Sequence, residues 1–74
     1  MRYDYRKLSG KIVEVCGTQA VFAKRIGISE RSVSLKLNNK VAFKQDEIQA
    51  SLTALRIDPS EISNYFFTPE VQNF

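Results

Sequence analysis

Histidine and tryptophan are absent from this 74-residue sequence, and cysteine and methionine occur once each. Without histidine, neither a Ser-His-Asp nor a Cys-His catalytic arrangement can be built. A zinc site needs a cluster of Cys or His ligands, which a single cysteine does not supply. Cys16 has no partner within the chain, so no disulfide supports the fold. It reads as a small core or half-buried hydrophobe. No apolar run approaches the roughly 18 residues of a membrane span, and the N-terminus lacks a signal-peptide pattern. The absences together lead us to expect a cytoplasmic protein with no enzymatic activity, no metal or cofactor, no small-molecule ligand and no membrane partner.

Three glycines and two prolines are few for the length, and no linker-like, low-complexity or repeated segment divides the chain. One domain over residues 1–74 is expected, near the lower size limit for a chain that folds alone. The hydrophobic fraction, 43%, is that of a globular domain rather than a disordered segment. Charge is unevenly spread. Residues 1–44 hold ten Lys/Arg against three Asp/Glu, a net +7, whereas residues 45–74 hold one Arg against five Asp/Glu, a net −4. The split suggests an N-terminal part that meets a polyanion, although a solvated surface with chance clustering also gives such a pattern.

What is present is helical periodicity with well-marked ends. Leu8, Ile12 and Val15 form one apolar stripe over residues 4–16, with Asp4 as a fitting N-cap, Tyr3 before it as a staple on Leu8, and Gly17 as terminator. Thr18 caps a second helix over 19–26, in which Phe22, Ala23 and Ile26 share a face and Lys24 and Arg25 point away. Gly27 supplies a sharp turn, and Ser29 caps a third helix over about 30–38. Val33 and Leu37 face inward there. Arg31, Ser32 and Leu35 face outward, with Ser34 and Asn38 on one flank and Lys36 on the other. Asn38-Asn39-Lys40 ends this helix, since asparagine tolerates left-handed geometry.

Residues 41–44 are expected to be a loop with two apolar side chains docked on the core. Ile48, Leu52 and Leu55 mark a fourth helix over 45–55, with Asp46 and Glu47 suited to the dipole of its first turn. Asp58-Pro59-Ser60-Glu61 is a helix start, so a fifth helix should run to Phe66 or Phe67 before Pro69. The C-terminal stretch 58–74 carries Tyr65, Phe66, Phe67, Val71 and Phe74. Part of this cluster must close the core; the excess is a candidate surface for a second copy or another partner.

The stretch 18–40 thus reads as a helix-turn-helix, two short helices around Gly27 with a mostly polar outer face on the second. On Gln19, Phe22-Ala23, Ile26-Gly27-Ile28, Ser29, Val33 and Asn38-Asn39-Lys40, it resembles the phage repressor and Cro class. On YDYRKLSGKIVE at 3–14, GISERSVSLKLNNKV at 27–41 and EISNYFFTPEVQ at 61–72, nearly the whole chain is similar to small single-domain regulators of Gram-positive temperate phages and prophages. The fold implied is all-α, a compact five-helix lambda-repressor-like helix-turn-helix domain. Some members of that group modulate the cognate repressor instead of binding operators alone.

The resemblance implies roles for individual residues. Gln19 occupies the position that touches a phosphate at a helix N-terminus. Glu30, Arg31, Ser34 and Leu35 occupy base-reading positions, where Arg31 suits guanine and Leu35 a thymine methyl. Asn38, Lys40 and Lys44 would hold the flanking backbone, and Lys36 is left for a phosphate or for solvent. The first expectation is a sequence-specific transcriptional regulator binding operator double-stranded DNA through its third helix, as a homodimer on a partly palindromic site. The alternative is an antirepressor or co-repressor that grips a cognate phage repressor with the same face. Leu35, Tyr65, Phe66, Phe67 and Phe74 would then form the protein interface.

Overall fold

Of the four described residues with positive φ, Gly17 among them, three close a turn in the same way. Gly27 (φ 81°), Asn39 (φ 61°) and Arg56 (φ 56°) each follow a helix. At each the next residue donates its N–H back across the turn: Ile28 to Ala23 (3.0 Å), Lys40 to Leu35 (2.8 Å) and Ile57 to Leu52 (2.9 Å). This six-to-one bond is the Schellman closure, which needs a left-handed residue just past the helix. The computed structural model describes residues 2–71. Its helices are α1 (Arg6–Cys16), α2 (Gln19–Ile26), α3 (Glu30–Leu37), α4 (Gln45–Leu55) and α5 (Ile62–Phe66), with a 3-10 turn at Pro59–Glu61 leading into α5. Thr18, Ser29 and Asp58 accept backbone N–H bonds at the starts expected from sequence.

The core is the sum of the apolar stripes. Leu8, Ile12, Phe22, Val33 and Leu55 are fully shielded from solvent, and Ile48, Leu52 and Ile57 are nearly so. Each contributes about 1.5–3 kcal/mol by leaving water. Ala23, 2% exposed, is small enough to let α2 approach its neighbours closely.

Several expectations are corrected. The first helix begins at Arg6, not at residue 4, because residues 2–4 are drawn into an extended pairing with the C-terminal segment. Tyr3 and Pro69 form an antiparallel bridge, flanked by Asp4 N–H to the Thr68 carbonyl (2.7 Å) and Glu70 N–H to the Arg2 carbonyl (3.0 Å). Asp4 turns its carboxylate to Arg6, whose guanidinium and amide hold its pKa down to about 2. The fifth helix is split, its first turn being 3-10. Of the 41–44 loop, Phe43 packs on the core, while Val41 is 46% exposed.

The largest correction concerns Lys36, expected to meet phosphate or solvent. It is 4% exposed. Its ammonium lies 2.9 Å from Glu47 of α4, donates to the Ala42 carbonyl at 3.1 Å, and sits 5.9 Å from the centre of the Phe43 ring. On α3 it flanks Val33 on the side opposite Leu37, so the inward arc is wider than two apolar residues suggest. Glu47 also accepts the Lys44 N–H at 2.9 Å, closing the first turn of α4. Among the described residues no buried side-chain polar atom lacks a partner.

Two stability predictions follow from these contacts. Glu47→Gln keeps an acceptor for the Lys44 amide but leaves the Lys36 ammonium buried without its counter-charge. We expect a loss of about 3 kcal/mol, read from the urea midpoint. Burial pushes the Glu47 carboxyl up, but the Lys44 amide and then the Lys36 ammonium outweigh it, and the net direction is below 4.5. A lowered folded-state pKa means stability that is complete above the ordinary carboxylate range and lost as pH falls through the folded value. Wild-type stability should therefore drop below about pH 4, and this component should vanish in Glu47→Gln. Separately, Arg56→Gly relieves a left-handed non-glycine residue whose side chain is exposed. It should raise the unfolding free energy by up to about 1 kcal/mol, read as a higher urea midpoint; a lowered midpoint would show that the arginine stabilises the turn.

Candidate partner-binding surface

The outer face of the helix-turn-helix is built by the two caps and the Gly27 turn, which set α3 across α2. Glu30, Arg31, Asn38 and Lys40 on or just past α3, and Lys44 beyond it, are exposed. Gln19, Ser34 and Leu35 are half-buried. Among the described residues, none of Glu30, Arg31, Lys40 and Lys44 is in an ion pair, whereas Arg2, Arg6, Lys11 and Lys36 are. Arg31, Lys40 and Lys44 are thus free of ion pairs on this face, as Lys7, Lys24, Arg25 and Arg56 are elsewhere on the surface.

Two side chains expected to meet the DNA backbone are engaged within the fold. Asn38 spends its amide on its own helix, donating to the Ser34 carbonyl at 2.8 Å. Lys36 is withdrawn into the ion pair. What remains outward on α3 is one carboxylate, one guanidinium, the hydroxyls of Ser32 and Ser34, and a leucine that is not among the side chains packed on the core. Such a mixture suits a protein surface at least as well as a groove of DNA.

Beyond the end of α3, a cleft of about 270 Å³ opens between the 39–43 loop and the C-terminal aromatics. Phe67 and Val41, each 46% exposed, stand at its sides, and Lys40 is among its lining residues. Its inner wall is a chain of edge-to-face rings, with Tyr5 to Phe43 at 5.4 Å, Phe43 to Phe66 at 5.3 Å and Tyr3 to Phe67 at 5.9 Å between centroids. Pairs of this kind add about 0.5–1.5 kcal/mol beyond their area and fix the ring orientations.

The expected C-terminal interface divides accordingly. Phe66 is 1% exposed and belongs to the core, because α5 turns it under Phe43. Tyr65 is half-buried against the core with the Lys7 ammonium 4.8 Å over its ring. Phe67 is open to a partner, and Phe74 lies outside the described residues. Val41, Phe43, Tyr3 and Tyr5 were missed as lining residues. The alternation Tyr3-Asp4-Tyr5 was the available signal, being a strand-like period at the edge of a helical one. Among the described residues no group of three His, Cys, Asp or Glu side chains could hold a metal ion.

No curated protein matches the chain. Among solved structures, it is similar to the solution structure of the modulator of repression (MOR) of the temperate bacteriophage TP901-1 from Lactococcus lactis. The two share 53% identity over 97% of each chain, with a TM-score of 0.78. A family model also matches residues 1–69, nearly everything from the extended N-terminal segment to Pro69, and by that match the chain belongs to the family described as protein of unknown function DUF739.

Proposed function

We propose that this protein is a modulator of phage repression, which binds a cognate repressor protein through the outer face of α3 and the adjoining aromatic cleft. The observation that carries this reading is the 53% identity, over 97% of both chains, with a modulator of repression. The surface supports it. Leu35 and Phe67 are apolar anchors, and Arg31 and Lys40 are exposed charges around them, the arrangement of a protein interface with an apolar centre and a polar rim. The work is binding, not catalysis, and takes place in the cytoplasm of a bacterial host.

Operator binding by the chain itself is the second reading, and a separate observation favours it. Arg31, Lys40 and Lys44 are exposed and unpaired among the described residues, and cations so placed attract phosphates. The two readings separate in one titration: the purified protein against its cognate repressor and against operator DNA, alone and together, at two salt concentrations. Complex formation with the repressor in the absence of DNA supports the modulator. Binding to operator alone, with no repressor complex, overturns it.

Two substitutions sharpen the result. Leu35→Ala should weaken repressor binding by roughly 30-fold or more, the effect of truncating a central anchor, as measured by calorimetry; unchanged affinity would remove Leu35 from the interface. Lys40→Ala should make the salt dependence of any DNA binding shallower by about one unit in log–log slope. An unchanged slope would mean that Lys40 touches no phosphate.

A further inference from the structure

Asn39 occupies a left-handed position, φ 61°, where glycine would cost the backbone nothing. Asparagine is the second choice there, so its side chain needs a reason. The carboxamide faces the backbone of Tyr3 and pairs with it in both directions: Tyr3 N–H donates to Asn39 Oδ1 at 2.8 Å, and Asn39 Nδ2 donates to the Tyr3 carbonyl at 2.9 Å. The geometry of the ribbon explains why those groups are available. Because the bonds flanking the Tyr3–Pro69 bridge run from Asp4 and Glu70, the N–H and carbonyl of Tyr3 itself point to the opposite side. One side-chain amide there fills the place of a further strand.

This pair is also the whole polar connection between two parts of the surface. Among the described residues, no other hydrogen bond joins the end of α3 (residues 37–41) to the ribbon formed by residues 2–4 and 68–70. The ribbon carries Tyr3 and runs directly on from Phe67, the exposed wall of the cleft, while α3 carries Arg31 and Leu35. Both bonds are partly shielded from water, so losing them leaves a backbone donor and acceptor poorly solvated.

We infer that Asn39 is a positioning residue: its amide locks the C-terminal end of α3 to the terminal ribbon, holding the α3 face and the Phe67 wall as one preformed surface for the protein partner. The lock contributes affinity by sparing the complex the cost of ordering two independent patches. The inference rests on the modulator reading for its consequence in binding, though not for the lock itself.

Asn39→Gly is the test, since it removes the amide and leaves the turn in a backbone state that glycine prefers. Three quantities are measured: hydrogen exchange of the Tyr3, Asp4 and Glu70 amides in the free protein, the urea midpoint, and affinity for the repressor. We expect ribbon exchange at least about tenfold faster, a midpoint little changed because glycine's ease at the left-handed position offsets the lost bonds, and repressor affinity down by about tenfold, a difference of ~1.4 kcal/mol. A residue with a merely structural role would lower midpoint and affinity together, and that result overturns the inference. So does unchanged ribbon exchange, or a loosened ribbon with full affinity. If the wild-type protein binds no repressor, the modulator reading fails by itself, and the exchange measurement alone then upholds or overturns the lock.

Discussion

A lysine buried at the junction of α3 and α4 constrains more of this molecule than any single apolar contact. An ammonium leaving water costs several kcal/mol unless it is met at close range by a counter-charge and by acceptors. Lys36 finds Glu47, the Ala42 carbonyl and the Phe43 ring, and each partner fixes a different piece of the fold. Glu47 sets the first turn of α4, Ala42 sets the path of the loop leaving α3, and Phe43 is the middle ring of the row from Tyr5 to Phe66. The shape of the cleft beside α3 is therefore tied to one ion pair. The same pair takes a positive charge away from the outward face, which changes what that face can recognise.

The helices were largely legible in the sequence because their signals are local. Thr18, Ser29 and Asp58 are caps whose hydrogen bonds reach only two or three residues along the chain. The stripe Ile48–Leu52–Leu55 needs only its own periodicity to be read. What could not be read depends on partners distant in sequence. Asp4 looked like a cap, but its amide is claimed by Thr68 and its carboxylate by Arg6. Lys36 looked like a surface cation, because nothing near it in sequence announces that Glu47 will stand beside it. Phe66 and Phe67 are neighbours with the same chemistry, and only the direction in which α5 meets the core separates buried from exposed.

The candidate site follows the same division. Arg31 and Leu35 are placed on the outer face of α3 by helical periodicity, whereas Lys40, past the helix end, enters only through the resemblance. The aromatic cleft was only half seen, since Tyr3 and Tyr5 enter it from the other end of the chain. The site consequently joins one part specified by local helix geometry with one specified by the meeting of the termini. A surface of that composition has a leucine and a phenylalanine as its apolar points and unpaired cations at its rim. It suits recognition of a protein without being barred from nucleic acid.

The ribbon of residues 2–4 and 68–70 has one further consequence, for behaviour at high concentration. Two extended segments side by side normally present open backbone to other chains and invite growth of a sheet. Here the side of Tyr3 is occupied by a side-chain amide. On the other side the bridge position is Pro69, which has no N–H to donate. The centre of the pairing is thus filled on one side and lacks a donor on the other, which makes this short piece of β-structure a poor template for a third strand.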